Sequence, residues 1–200
     1  MSLRVISGEA RGRKLKAVPG DTTRPITDRA KESLFNILAG DVVGSHWWDV
    51  FGGTGAVGIE AISRGASFVR FSERDRLAIE TIRWNLDHCK FSERAEIRRG
   101  DAFALLASAP DRQFDYIYIA PPQYKELWSQ ALVVLDDNPG WLSDEFEVIA
   151  QIDPKEYQPL ELVNLAEFEH RRYGSTLLVF YERRSAIAEQ SQPSATSRGG

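Results

Sequence analysis

Apolar residues along this chain keep two rhythms in turn. One is the short continuous run of a strand buried on both faces, and the other is the 3.6-residue period of an amphipathic helix. Trp47 and Trp48 open a buried strand, and residues 56–63 read as a helix that stops at Arg64-Gly65. Residues 68–71, 95–98 and 114–119 read as strands two to four, with helices predicted over 77–89, 103–108 and 127–135. Later strands are expected over 147–152 and 176–181, the second rich in β-branched and aromatic residues. Strand and helix in alternation argue for an α/β fold with a parallel sheet covered on both faces.

The first 40 residues depart from that alternation. Residues 3–7 and 11–18 read as a strand pair bent at Gly8 and Gly12. A helix then starts at a Thr27 or Asp28 cap and runs to Ala39, with Ala30, Leu34, Phe35 and Leu38 on one face. From Ser185 onward Ser, Gln, Pro and Gly dominate, so a disordered tail is expected over 185–200. The domain reading is therefore a hairpin-and-helix unit over 1–40, a main domain over 41–184, and the tail.

Composition narrows the class. A length of 200 residues suits one domain with a small appendage, and 42% hydrophobic content is enough for a sizeable core. Cys89 is the single cysteine, so no internal disulfide can form, and a reducing, cytoplasmic setting is expected. Together with His46, His88 and His170 it makes no metal-ligand spacing, so no metal is expected. No apolar run approaches the ~20 residues a membrane span needs, and no signal peptide precedes Arg4. A monomer with no membrane partner is the expectation. The net charge of -4 conceals an asymmetry. Residues 1–31 hold eight cations against three acids, a net +5 that leaves -9 for the remainder. A basic arm on an acidic body is a footprint for nucleic acid, with Arg11, Arg13, Lys14, Arg24 and Arg29 as candidate RNA contacts.

Chemistry concentrates first in Asp49-Val-Phe-Gly-Gly-Thr-Gly-Ala-Val-Gly58. A strand, a glycine turn and a helix N-terminus form a cradle for a cofactor, because glycine lets backbone approach a ligand and the helix end has free N–H groups. Gly53-Thr-Gly-Ala-Val-Gly58 fits the dinucleotide pattern G-x-G-x-x-G, with Glu73 about 20 residues on. Against a dinucleotide stands Asp49 at the strand end. Its carboxylate would repel a pyrophosphate and attract a sulfonium or ammonium group. Asp49-x-Phe51-x-Gly53-x-Gly55 resembles the first motif of S-adenosylmethionine-dependent methyltransferases.

Further acids close further strands. Asp49 ends strand one, Glu73 strand two and Asp101 strand three, while Ala120-Pro121-Pro122-Gln123-Tyr124 follows strand four. Open α/β sheets bind ligands along that edge. A carboxylate after strand two can accept both ribose hydroxyls, and one after strand three can accept an adenine amino group.

Outside the cofactor loop, Ile6-Ser-Gly-x-x-x-Gly-Arg-Lys-Leu15 and the stretch from Thr23-Arg-Pro-Ile-Thr-Asp-Arg to Leu38 resemble the amino-terminal signature of the RsmD family. These are bacterial methyltransferases acting on a guanine N2 of 16S ribosomal RNA. Tyr173-Gly-x-Thr-Leu-Leu178 adds to the resemblance, which covers roughly residues 3–182. It implies a Rossmann-like class I methyltransferase sheet of seven strands with the last antiparallel. It also implies S-adenosylmethionine as cofactor and ribosomal RNA, or a small-subunit assembly particle, as partner. Cofactor contacts are expected from Asp49, Phe51, Gly53 and Gly55 of the loop, and from Glu73, Arg74, Asp101 and Ala102 at the next two strand ends.

There is one departure. Enzymes that methylate exocyclic amines carry Asp/Asn-Pro-Pro-Tyr/Phe after strand four. Here the acid position is Ala120, and Gln123 intervenes before Tyr124. Pro121, Pro122, Gln123 and Tyr124 are the candidate catalytic residues, with Tyr124 stacking on an extruded base. Two other readings stand beside this one. A chain that lost its acid could be a non-catalytic RNA-binding or ribosome-assembly protein. A nicotinamide-dependent oxidoreductase is disfavoured by Asp49 and by the lack of a recognisable catalytic Tyr-Lys or His partner.

Overall fold

The computed structural model describes residues 3–20, 26–123 and 125–185. Arg24, Tyr124 and all but the first residue of the expected tail lie outside them.

Seven strands form one sheet in the order β3-β2-β1-β4-β5-β7-β6. They are β1 (His46–Asp49), β2 (Phe68–Glu73), β3 (Ala95–Arg99), β4 (Phe114–Ile119), β5 (Leu142–Ile152), β6 (Leu165–Tyr173) and β7 (Thr176–Arg183). The first five pair in parallel, and β7 runs antiparallel to both neighbours. This is the Rossmann-like sheet of seven strands with the last one antiparallel that the family resemblance implies.

Strand β1 sits at the centre and shows why the sheet is buried on both sides. Successive side chains point to opposite faces. Trp47 stacks between Phe35 and Tyr116 at centroid distances of 5.4 and 4.6 Å. Trp48 faces the other way, onto Trp141 at 4.7 Å and Phe114 at 5.3 Å. Each indole N–H has an acceptor, Ser45 Oγ at 2.9 Å and Ser72 Oγ at 2.7 Å, so neither tryptophan is buried with an unmet donor.

On the Trp47 side pack α1 (Asp28–Leu38), α2 (Ala56–Ser63) and α3 (Arg76–Cys89). On the Trp48 side pack α4 (Ala102–Leu106) and α5 (Leu127–Asp136). Thr27 caps α1, its side chain accepting from Ala30 N at 3.2 Å, and Asp75 caps α3 in the same way at 2.9 Å.

Two expectations need correction. The amino-terminal strands reduce to one antiparallel bridge, Arg4 to Lys14, flanked by Val5 N to Arg13 O at 2.9 Å and Leu15 N to Leu3 O at 2.8 Å. The missing ladder bonds go elsewhere. Ile6 and Ser7 amides donate to the Glu60 carboxylate, and Ala10 N donates to Ser63 Oγ. The hairpin is therefore tied to α2 as well as to itself. At Gly8 an added Cβ would lie 1.8 Å from Ser63 O, so only glycine permits this approach. Val5, Ala10 and Leu15 share a core with Leu34, Ile59 and Ile62, so residues 3–20 dock on the main body.

The second correction is β6, for which the sequence shows no run. As an edge strand it needs no continuous apolar face, and it carries Glu167, Glu169, His170, Arg171 and Arg172 among its nine residues. No described helix is long and apolar enough to cross a membrane.

Candidate active site

The strand order puts four chain segments side by side at the carboxyl edge of the sheet. Asp101 follows β3, Glu73 ends β2, Asp49 ends β1 and Ala120-Pro121-Pro122 follows β4. With strands about 4.8 Å apart, the row spans on the order of 14 Å.

Asp49 is buried, with only 3% of its surface exposed. Burial pushes its carboxyl well above the usual carboxylate range. The Gly58 amide opposes that shift, and the neighbouring Glu73 charge adds to it. Its Oδ1 has no hydrogen-bond partner among the described residues. A buried, unsatisfied carboxyl at a strand end is costly unless a cation or donor meets it there. Tyr118, paired with Asp49 in register, is likewise buried and donates to Gln151 Oε1. Burial, and then the Asp49 charge, raise its hydroxyl well above the ordinary tyrosine value.

The glycine turn is built for close approach. Gly53 adopts φ +52°, and a Cβ there would meet only Phe51 O at 3.9 Å, so its side-chain direction is open. Gly58 serves packing instead. Its Cβ would fall 2.4 Å from the Phe71 ring, and the bare helix face lets α2 settle on the sheet. Gly55 precedes α2 in the left-handed region and leaves the helix start without a side-chain cap.

Glu73 closes over this turn. Oε2 accepts from Gly53 N at 2.9 Å, and Oε1 accepts from Arg74 N at 2.8 Å and Asp75 N at 2.9 Å. The carboxylate thus fixes the loop and keeps one lone pair, on Oε2, for a further donor. Asp101 caps α4 through Oδ1, which accepts from Phe103 N and Ala104 N at 3.0 and 3.1 Å. Its Oδ2 is 4.0 Å from Arg74 Nη1, and both side chains are largely exposed, so this pair is weak. Ala102 is buried beneath it. Phe51 meets Phe103 edge-on at 6.2 Å, which supplies an aromatic flank near Asp101.

These residues fit S-adenosylmethionine as a donor set. A buried carboxyl with one unsatisfied oxygen ends β1 and could meet a sulfonium or ammonium, a second keeps an open acceptor site for a hydroxyl, and a third acceptor sits with an aromatic flank. No group of His, Cys, Asp and Glu among the described residues could hold a metal ion.

After β4, Pro121 is buried, while Pro122 and Gln123 are exposed. Glu126, just before α5, holds φ +53°, a left-handed conformation rare for a non-glycine residue. Arg11, Lys14 and Arg29 are exposed as a nucleic-acid contact requires. Arg13 is half-buried, and its guanidinium donates to the His88 carbonyl. Lys31, counted among the basic residues of this region, is fully buried, and Arg4 is paired with Asp28 at 2.9 Å. The basic footprint is therefore narrower than the +5 suggests.

Sequence reasoning missed Asn85. It is fully buried on α3 and bonded to both the hairpin and the glycine turn. The available signal was a polar residue on the stripe of Ala78, Ile82 and Cys89, where the helical period calls for an apolar one.

The family model described as Conserved hypothetical protein 95 matches residues 3–182. The Bacillus subtilis protein YlbH is similar at 38% identity, over 91% of this chain and 100% of its own length. Ribosomal RNA small subunit methyltransferase D of Escherichia coli K12 is 32% identical over 90% of each chain. Among solved structures, that of the Escherichia coli protein yhhF superposes with a TM-score of 0.81 at 32% identity, covering 92% of this chain and 98% of that one.

Proposed function

The chain belongs to the RsmD family, the family of that model, and from this premise we propose that it methylates the exocyclic N2 of a guanine in small-subunit ribosomal RNA. The donor is S-adenosylmethionine. The observation that carries the reading is the order of groups along the sheet edge. Asp101, Glu73, Asp49 and Ala120-Pro121 follow one another along that edge, and we read them as facing adenine, ribose, methionyl sulfonium and acceptor amine. A row of about 14 Å suits an adenosyl group followed by a base.

Bound there, S-adenosylmethionine supplies a methyl carbon on a sulfonium leaving group, so the N–C bond forms as the C–S bond breaks and one amine proton is released. The protein's share is alignment. Glu73 takes a ribose hydroxyl on Oε2 and holds the loop. Asp49 offers its unsatisfied oxygen to positive charge. The Pro121 carbonyl and the Gln123 side chain accept from the guanine amine and turn it toward the methyl group. Tyr124 stacks on the extruded base. Arg11, Arg13, Lys14, Arg24 and Arg29 hold phosphates.

Ala120 favours a second reading, a non-catalytic RNA-binding or assembly protein, because the usual carboxylate or carboxamide is missing. One experiment separates them. The protein is incubated with methyl-labelled donor and small-subunit RNA, free or partly assembled, and the label is mapped by nucleoside digestion. Label in N2-methylguanosine supports the enzyme. Donor and RNA binding without transfer supports the alternative, and label on another base refutes the N2 assignment.

A further inference from the structure

Asn85 is fully buried, and its one carboxamide grips backbone from two separate segments. Oδ1 accepts from Lys16 N at 2.8 Å. Nδ2 donates to Lys16 O at 3.1 Å and to Thr54 O at 2.9 Å. Lys16 lies in the hairpin, three residues after Arg13, and Thr54 lies between Gly53 and Gly55. The side chain therefore joins the segment read as RNA-contacting to the segment read as donor-holding. Glu60 and Ser63, which also grip the hairpin, stand about 8 and 12 Å beyond Gly55 along α2, and Lys31, Arg94 and the His88 carbonyl hold it through Arg4 O, Glu9 and Arg13. They hold the hairpin on the body without reaching the donor loop.

Nothing in the packing of α3 asks for a polar residue at this position. Ala78, Ile82 and Cys89 on the same stripe are apolar, and a buried carboxamide is tolerated only while it is bonded. Its bonds do not extend a helix or a strand. They fix one loop against another. A methyl transfer depends on that kind of placement, since a shift of about 1 Å in a bound reactant can cost on the order of 100-fold in rate.

We propose that Asn85 is a positioning residue that sets the register of the RNA-holding hairpin against the donor-holding glycine turn. It touches neither substrate. The inference rests on the reading of this chain as an RNA methyltransferase, and it adds the element that brings the two substrates into line. It is expected to act on the rate of the bound complex rather than on either affinity.

The test compares parent, Asn85→Leu and Asn85→Asp. Leucine suits the apolar stripe and removes all three bonds. Aspartate keeps the acceptor for Lys16 N and loses both donors, so it carries the test if the leucine variant does not fold. Dissociation constants for S-adenosylmethionine and for small-subunit RNA are measured separately, and then the single-turnover rate with both saturating. The inference requires a rate at least tenfold below the parent's, with each dissociation constant within threefold. An unchanged rate overturns it. So does a rate loss matched by an equal loss of donor affinity, which would make Asn85 a support of the glycine turn alone. If the parent transfers no methyl group to small-subunit RNA, the enzyme reading fails and the inference falls with it. An active parent with fully active variants fails the inference only.

Discussion

Lys31 Nζ lies 3.3 Å from Glu60 Oε2, and neither side chain has any exposure to solvent. Glu60 also accepts from Ile6 N at 2.7 Å, Ser7 N at 3.0 Å and Arg64 Nε at 2.8 Å, while Lys31 donates to Arg4 O at 2.5 Å. Burial lowers the Lys31 pKa and the Glu60 charge opposes that shift, so the pair survives by mutual neutralisation. Lys31→Met should cost about 3 kcal/mol, the lower end for breaking a buried pair, because Arg64 still partners Glu60. For a chain of this size the melting temperature should fall by roughly 6–12 °C. A fall under about 2 °C, less than 1 kcal/mol on the same scale, would show the pair to be dispensable.

Asp49 should make donor binding depend on pH. Its carboxyl is raised first by burial, with the Gly58 amide opposing and Glu73 assisting. A raised carboxyl pKa favours the neutral form in the folded chain. Its contribution to stability is full below the ordinary carboxyl range and is lost as pH rises through the folded value. A cationic donor favours the ionised form, so affinity should rise with pH and binding should release a proton. Titration calorimetry in two buffers of different ionisation heat would measure that release. Asp49→Asn should abolish it, and equal proton release in both proteins would assign the proton elsewhere.

At Glu73 the structure sharpens what a substitution tests. The carboxylate holds the amides of Gly53, Arg74 and Asp75, so its loss tests the loop together with the proposed ribose contact. Glu73→Ala should weaken donor binding by about 2–3 kcal/mol, the scale of charge-assisted hydrogen bonds removed from a ligand site. Glu73→Gln retains one acceptor oxygen and should fall between. Calorimetry decides, and an unchanged dissociation constant for the alanine variant would remove Glu73 from the donor site.

Much of this edge could be read from the sequence because punctuation and period coincide there. Strand β4 and helix α2 begin and end where the apolar run and the glycines say they do, which fixes Asp49 and Ala120 at strand ends. Strand β6 escaped because an edge strand paired on one side has no burial to impose a pattern on Glu169 or Arg171. The hairpin was legible as a bend but not as a docked segment. Nothing local shows that the Ile6 and Ser7 amides leave their expected partners for Glu60, a residue more than 50 positions away. Asn85 is hidden for the same reason, since its partners Lys16 and Thr54 lie 69 and 31 residues off.

The exposed cations of the hairpin should govern the salt dependence of RNA binding. Replacing Arg11, Arg13 and Lys14 by Ala should lower RNA affinity and leave donor affinity unchanged. The slope of log affinity against log salt should flatten by about 0.7 for each phosphate of single-stranded RNA that is no longer neutralised. Arg13 is already engaged with the His88 carbonyl, so Arg11 and Lys14 should carry most of the change. Equal slopes for parent and triple variant would take the hairpin off the RNA.

Ala120 stands where a side-chain acceptor is expected, and we expect the protein to be an active enzyme in spite of it. The lone pair of guanine N2 is delocalised into the ring, so the amine must be turned before it can attack. Hydrogen-bond acceptors achieve this by fixing where the amine protons point, and a full negative charge is not needed for that geometry. The Pro121 carbonyl is one acceptor. Gln123, exposed beside it, brings a side-chain oxygen as a second. A neutral acceptor stabilises the developing positive charge less than a carboxylate, by about 1 kcal/mol, which slows transfer without abolishing it. Gln123→Ala should therefore reduce the single-turnover rate about tenfold with little change in donor binding. Tyr124→Ala should also weaken RNA binding, by about 1–3 kcal/mol for a missing stacking partner. Ala120→Asp approaches the same question from the other side and should preserve or raise the rate. If the parent binds donor and RNA yet transfers nothing, while Ala120→Asp methylates guanine N2, the native chain is a retired enzyme and the assembly reading prevails.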